Sequence, residues 1–288
     1  MKPPTLLTAL LLQSFLTLGA AAAGIRALYL FKDVLKSNTT ALQTSGFNTL
    51  IIFGVGVLGT GDIMYYSNTP GSKDALVASK GAYVGGDALA AKVRSFKTGN
   101  GTSVDRVEVS MNSQNIKSLM ASPGAGTDTP LARNFAALRE AWGLDAVNND
   151  DESIYDVGST VAFGNMLGQI GYKYTIAPYD GRVANFWVTV KGRVGVLDRV
   201  YLQCYDGGAN NNPAGWSTAL GIKVVPLLWV INDSKPQYGV SAAQARTRFA
   251  GWNGQGAVAG GGFWNDYDIE KMGLSYKDYG GVLTSVFP

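Results

Sequence analysis

Short apolar runs rich in β-branched and aromatic residues recur along the chain, separated by longer segments with helical spacing. That alternation predicts parallel strands joined by crossover helices. The runs cover residues 26–31, 49–57, 104–111, 141–148, 172–178, 197–204, 223–231 and 256–264. Eight such units close a barrel, so the expected fold is α/β, a single-domain (β/α)8 TIM barrel. Helices are predicted over 87–96, 115–121, 130–141, 157–170 and 241–250, the fourth because Val161, Phe163, Met166, Leu167 and Ile170 fall near one face. Around Phe186-Trp187-Val188, between the fifth and sixth strands, no strong helical period exists, and an irregular or short helix is assigned by elimination. Gly59-Thr60-Gly61-Asp62 sits between two apolar or alternating runs and predicts a hairpin insertion after strand 2, at the end of the barrel where strand-to-helix loops project. No repeat of fixed period and no Pro/Ser-rich linker divides the chain.

The first 23 residues read as a secretory leader: Lys2, a mostly apolar stretch over 6–18, and Ala21-Ala22-Ala23 as cleavage site. A mature domain over 24–288, secreted and extracellular, is expected, of about 265 residues, a common size for one barrel. No later stretch approaches the ~18 uninterrupted apolar residues of a spanning helix, so no membrane partner is expected. The formal charge is +3 without a dense Lys/Arg run, which argues against nucleic acid as a partner. Cys204 is the one cysteine; it cannot close an internal disulfide, and beside Tyr205 it reads as an inert core thiol. Stability must come from the apolar core, which a 46% hydrophobic composition allows. Asn38, Asn100 and Asn232 fit the N-glycosylation pattern, which would put each on a surface loop.

There is no histidine. Ser-His-Asp and Cys-His catalysis are excluded, the commonest transition-metal ligand is missing, and carboxylates remain for acid-base work. No metal or cofactor is expected. The fourth strand ends in Asp145-Ala146-Val147-Asn148-Asn149-Asp150-Asp151-Glu152. Alternate residues of a strand share a face, so Asn148, Asp150 and Glu152 point the same way wherever the chain stays extended. Carboxylates crowded at a barrel rim raise one another's pKa, and one can stay protonated as an acid. Taken alone, the same spacing also suits a solvated acidic loop or a calcium site.

This motif resembles the D-G-x-D-x-D-x-E that ends the fourth strand of the family 18 glycoside hydrolases, the chitinases and endo-β-N-acetylglucosaminidases. Asp145, Asp150 and Glu152 match in register, while Asn148 replaces the middle Asp and Ala146 the Gly. The resemblance implies that Glu152 protonates the leaving oxygen, that Asp150 holds the substrate's N-acetyl group, and that the acetamido oxygen is the nucleophile, with retention of configuration. Strand 6 carries Gln203-Cys204-Tyr205-Asp206, similar to the family's M-x-Y-D or Q-x-Y-N; it implies that Tyr205 donates a hydrogen bond to the acetamido oxygen, with Gln203 and Asp206 in support. Strand 8 ends in Trp264, where the family closes its sugar pocket with a Trp. Tyr179 at the end of strand 5 and Trp229 at the end of strand 7 are further sugar-contact candidates, with Trp187 and Trp216 as weaker ones. Without the resemblance, Tyr205 and the tryptophans read equally as core. Strand 3 keeps Ser110 of the family's S-x-G-G but has Met111, Asn112 and Ser113 instead of the residues that follow. Losing both glycines predicts a differently shaped pocket floor. An amide at 148 cannot carry charge or share a proton, and slower turnover or a shifted pH optimum is expected.

Three function classes follow. The first is a monomeric, endo-acting hydrolase of β-linked N-acetylhexosamine glycans such as chitin, peptidoglycan or N-glycan cores. The second is a catalytically weak or silent sugar-binding protein on the same barrel. The third is a glycosidase using two carboxylates directly, with Asp206 or Asp180 as partner to Glu152.

Overall fold

The computed structural model describes residues 23–288; the leader expected over 1–23 falls outside them apart from its last residue. Eight parallel strands form a closed ring: β1 (Ile25–Leu30), β2 (Thr49–Val57), β3 (Arg106–Met111), β4 (Ala146–Asn149), β5 (Lys173–Ile176), β6 (Leu197–Gln203), β7 (Val225–Val230) and β8 (Gly260–Trp264). Each pairs with the next, and β8 closes onto β1 through Leu28 opposite Phe263. The chain is therefore a single-domain TIM barrel, as its alternation of runs predicts.

Two apolar layers follow from the pleat. Ala27, Tyr29, Ile51, Tyr201, Val225 and Leu227 meet inside the ring, while the larger core lies between the strands and the surrounding helices. The glycine run of β8 serves both layers. A Cβ on Gly262 would come within 2.7 Å of the Leu227 side chain inside, and one on Gly261 within 2.7 Å of the Phe249 ring outside.

The helices expected over 87–96, 115–121, 130–141 and 157–170 appear within one residue of expectation, and the one expected over 241–250 runs four residues further, as Ala242–Gly254. The connection from β5 to β6 differs: Ala184–Arg193 is a regular α-helix that buries Trp187 and Val190. Its β-branched and aromatic residues have weak intrinsic helix preference, and burial against the barrel overrides it. Helices at Pro213–Leu220 and Tyr276–Val286 complete the ring beside shorter ones.

The insertion after β2 is larger than a hairpin. Ile63–Tyr65 folds back antiparallel on β2, and Ala75–Ser79 and Ala82–Tyr83 extend the sheet. It is clamped to helix Pro130–Trp142: Asn134, fully buried, accepts from Gly81 N and donates to Gly61 O, each at 2.7 Å. The extension is thus a rigid wall.

One surface expectation is overturned. Asn232 is 2% exposed, donating to Val230 O and accepting from Lys235 N, so of the three glycosylation matches only Asn38 and Asn100 are exposed. Among the described residues no helix is long and apolar enough to cross a membrane.

Candidate active site

The C-terminal ends of the strands surround a cavity of about 870 Å³, within the range of small-ligand pockets. Asp150, Glu152, Gln203, Tyr205, Trp229 and Trp264 all line it. These residues come from β4, β6, β7 and β8, so only the closed ring brings them together.

Asn148 is the last inward residue within β4, and Asp150 and Glu152 follow where the chain leaves the ring. The link between the two acids is Gln203. Its Nε2 lies 3.1 Å from Asp150 Oδ1, 3.0 Å from Glu152 Oε1 and 3.3 Å from Ala177 O, so two N–H groups serve three acceptors. Asp150 opens to the cavity on one side and is enclosed by protein on the others. This enclosure, then the charges of Glu152 and Asp151, pushes its carboxyl up to about 8. Asp150 therefore holds a proton at neutral pH.

Tyr205, 8% exposed, packs edge-on to Trp229 with centroids 5.7 Å apart. Burial first, then the charges of Asp150 and Glu152, push its phenol well above the ordinary range, so it remains a hydrogen-bond donor. Trp264 is half-buried and boxed in by Phe53, Phe31 and Tyr29 at centroid distances of 4.7, 5.4 and 5.5 Å. Trp229 is fixed by its Nε1, which donates to Asp268 Oδ2 at 2.8 Å. Two indoles that are neighbours on β7 and β8 thus line the same cavity as the carboxyl pair, and a flat apolar face beside hydrogen-bonding groups suits a sugar ring.

Tyr179 and Asp206 also line the cavity, with Asp206 ion-paired to Lys235. Ser110 lies at the floor, fully buried, its Oγ without a hydrogen-bond partner among the described residues. Asn148 lies beneath the cavity and is likewise fully buried. Asp145 is not brought in: it precedes β4 at the opposite end of the strand, where its Oδ2 accepts from Lys97 Nζ and Val107 N at 2.8 Å each. Trp187 and Trp216 are core residues of their helices and lie outside the cavity. Cys204 is buried, and its thiol is pushed up to about 12 by that burial.

The sequence reading passes over several residues. Asp151, 1% exposed, accepts from the backbone N–H groups of Ser153, Ile154 and Tyr155 at 2.8 to 3.0 Å, and Tyr155 adopts φ +46°. This turn fixes the segment that carries Glu152. Strand alternation hides it, because Asp151 points away from its neighbours; an Asp followed by a chain reversal is the signal that finds it. Asn112 and Gln114 reach into the cavity where the family pattern has or adjoins glycines, and Phe53, Tyr66 and Asn68 line it as well. Only the extension's placement after strand 2 hints at the latter.

No protein-family model matches the sequence, and no curated protein matches it. Solved structures do. The chain is similar to the catalytic domain of a family GH18 chitinase from the fern Peteris ryukyuensis, at 16% identity and a TM-score of 0.63, over 91% of this chain and 98% of that one. It is similar to a group IV chitinase of Ostrinia furnacalis in complex with allosamidin, at 11% identity and a TM-score of 0.62, over 91% and 98%. A chitinase-like agglutinin from Robinia pseudoacacia matches at 10% identity and a TM-score of 0.59, over 91% and 99%. At these identities the likeness speaks for the fold: the barrel is the one that family 18 chitinases and chitinase-like proteins share.

Proposed function

We propose that the protein is a secreted glycoside hydrolase of the family 18 type, which cleaves β-linked N-acetylhexosamine glycans by substrate-assisted, retaining catalysis. The observation that carries this reading is the Gln203 amide, which holds Asp150 and Glu152 side by side at the cavity floor, with the Tyr205 phenol lining the same cavity. In this reading Glu152, exposed to the cavity, protonates the leaving oxygen. Asp150 and Tyr205 orient the substrate's acetamido group, whose oxygen attacks the anomeric carbon; the bond to the leaving group breaks as the cyclic intermediate forms, and water then opens it.

The two-carboxylate alternative has less support. Asp180 is not among the residues that line the cavity and is paired with Arg182, and Asp206 is engaged by Lys235. The silent sugar-binding alternative is favoured by Asn148 and by the side chains that replace the strand 3 glycines, and an agglutinin shares the fold.

The test is product release from N-acetylglucosamine oligomers and peptidoglycan, with Glu152→Gln beside the wild type. Cleavage that the substitution abolishes is expected. Saturable binding of the same sugars with no cleavage by the wild type would replace the hydrolase with the binding protein. Secretion is checked by the mass of the exported chain, expected to begin at Gly24.

A further inference from the structure

A ladder of polar side chains descends through the barrel interior beneath Asp150 and ends on a carboxylate that the proposed reaction does not use. Tyr29, Glu108, Asn148, Thr175 and Tyr201 are each 2% exposed or less. Tyr29 Oη donates to Asn148 Oδ1 at 2.9 Å, and Asn148 Nδ2 donates to Thr175 Oγ1 at 3.0 Å. Thr175 Oγ1 donates to Glu108 Oε2, and Tyr201 Oη to Glu108 Oε1, both at 2.7 Å. Below, Arg106 Nε donates to Glu108 Oε1 at 2.7 Å, while its two terminal nitrogens grip Asp198 at 2.8 and 2.9 Å.

The proton directions in this ladder are fixed. A hydroxyl has one proton. As the ion-pair partner of Arg106, Glu108 accepts, which commits the Thr175 proton downward and turns the Thr175 oxygen toward Asn148 as an acceptor. A donor must meet it, and of the two ends of an amide only the NH₂ can, so Asn148 takes the orientation seen and offers its carbonyl to Tyr29. A carboxylate at 148 would set oxygen against oxygen. Ser110, level with Asn148 on β3, has no hydrogen-bond partner for its Oγ among the described residues.

We infer that Glu108 is a positioning residue for Asn148 and, through the end of β4, for Asp150, which follows Asn148 by two residues where the chain leaves the strand. Acting through Thr175, it locks the amide of Asn148, so that a buried carboxylate on β3 and an amide on β4 are a matched pair. This rests on the reading of Asp150 and Glu152 as the reacting groups. It also gives Asn148 a physical reason: with Glu108 and Thr175 below, an aspartate there lacks a donor.

The test inverts the polarity of the ladder. In Glu108→Gln the side-chain oxygen keeps Arg106 and Tyr201 while the new NH₂ donates to Thr175, whose proton then turns toward residue 148. That arrangement suits Asn148→Asp and opposes Asn148. The single variants and the double variant are compared by kcat and KM on chitotetraose across pH, and by Tm. Each single substitution is expected to lower kcat roughly tenfold with KM within about twofold, because each leaves a buried polar group mispaired. The double variant is expected to recover to within about threefold of wild type. If Glu108→Gln does not fold, Thr175→Val serves: with the relay oxygen gone, Asn148→Asp should change kcat less than it does in the presence of Thr175.

Single effects that simply multiply in the double variant, in both kcat and Tm, overturn the inference. Coupling in Tm with kcat effects that multiply overturns the positioning role. A wild type that hydrolyses no oligomer sinks the hydrolase reading instead, and the Tm comparison still decides whether residues 108 and 148 are matched.

Discussion

Two carboxylates sit inside this barrel in opposite circumstances. Glu108, fully buried near the base, faces an arginine and two hydroxyl donors. Asp150, at the mouth, has among the described residues no cation and one amide donor, shared with Glu152 and Ala177 O. Removing a charge from water is costly unless partners replace the hydration. At the base the partners are in place, and the group orients its neighbours without reacting. At the mouth they are withheld, and the carboxyl keeps a proton up to about 8. Uncompensated burial of this kind marks groups that handle protons.

The contrast is sharpest when each site loses one member. Glu152→Gln removes the acid and is expected to lower kcat on N-acetylglucosamine oligomers roughly 10³-fold, with little change in Tm. Arg106→Met, at the base, should do the reverse. It strands Glu108 without a cation and is expected to cost about 3 kcal/mol of stability, read by denaturant unfolding, while Asp150 and Glu152 keep their Gln203 clamp. If Arg106→Met proved neutral in stability, the division between a compensated base and an uncompensated mouth would fail.

Asp150 supplies a pH test of the same division. The folded chain holds its proton up to about 8, whereas an unfolded aspartate releases it near 3.8. Folding therefore takes up a proton in that window, and this contribution to stability is lost as pH rises from 3.8 to about 8. Asp266, buried and raised to about 7, adds a similar slope, so the comparison must be with Asp150→Asn. The expected outcome is that the variant's Tm advantage grows with pH and levels off above about 8. Wild-type turnover should fall about tenfold per pH unit beyond the same point, as the pair loses its proton. Parallel Tm curves for the two proteins would show that Asp150 is not held protonated.

The same two regions explain how far the sequence could be read. The ring was legible because eight apolar runs with helical spacers have few other solutions, and Asp150, Glu152 and Tyr205 were legible because the residues around them match the motifs of family 18, which alternation alone does not single out. Glu108 was not. In Arg106-Val107-Glu108-Val109-Ser110 it looks like the polar side of a half-exposed strand, and only closure of the barrel turns that side inward onto Thr175 and Tyr201. The motif match likewise placed Asp145 with the site, although its register, an odd number of residues from Asp150, sends it elsewhere. Helix Ala184–Arg193 was obscured by residues that favour strands. What the sequence withheld were the partners drawn from distant strands, and those decide whether a buried charge is structural or reactive.

The smallest expected effect concerns the wall that the extension after β2 adds to the cavity. Tyr66 is 39% exposed and lines the cavity from the extension that Asn134 clamps to its helix. Because that wall is rigid, it should act on substrates long enough to reach it without altering the carboxyl pair. Tyr66→Ala is expected to raise KM about threefold to tenfold for hexamers of N-acetylglucosamine, the loss of one aromatic contact, and to leave kcat and the KM for trimers unchanged. Deleting the Gly59–Asn68 segment would be a poorer probe, since it removes the strand paired with β2 and the Gly61 carbonyl that Asn134 holds. Equal KM changes for trimers and hexamers would place Tyr66 beside the reacting sugar, and the extension would then belong to the catalytic mouth instead of setting substrate length.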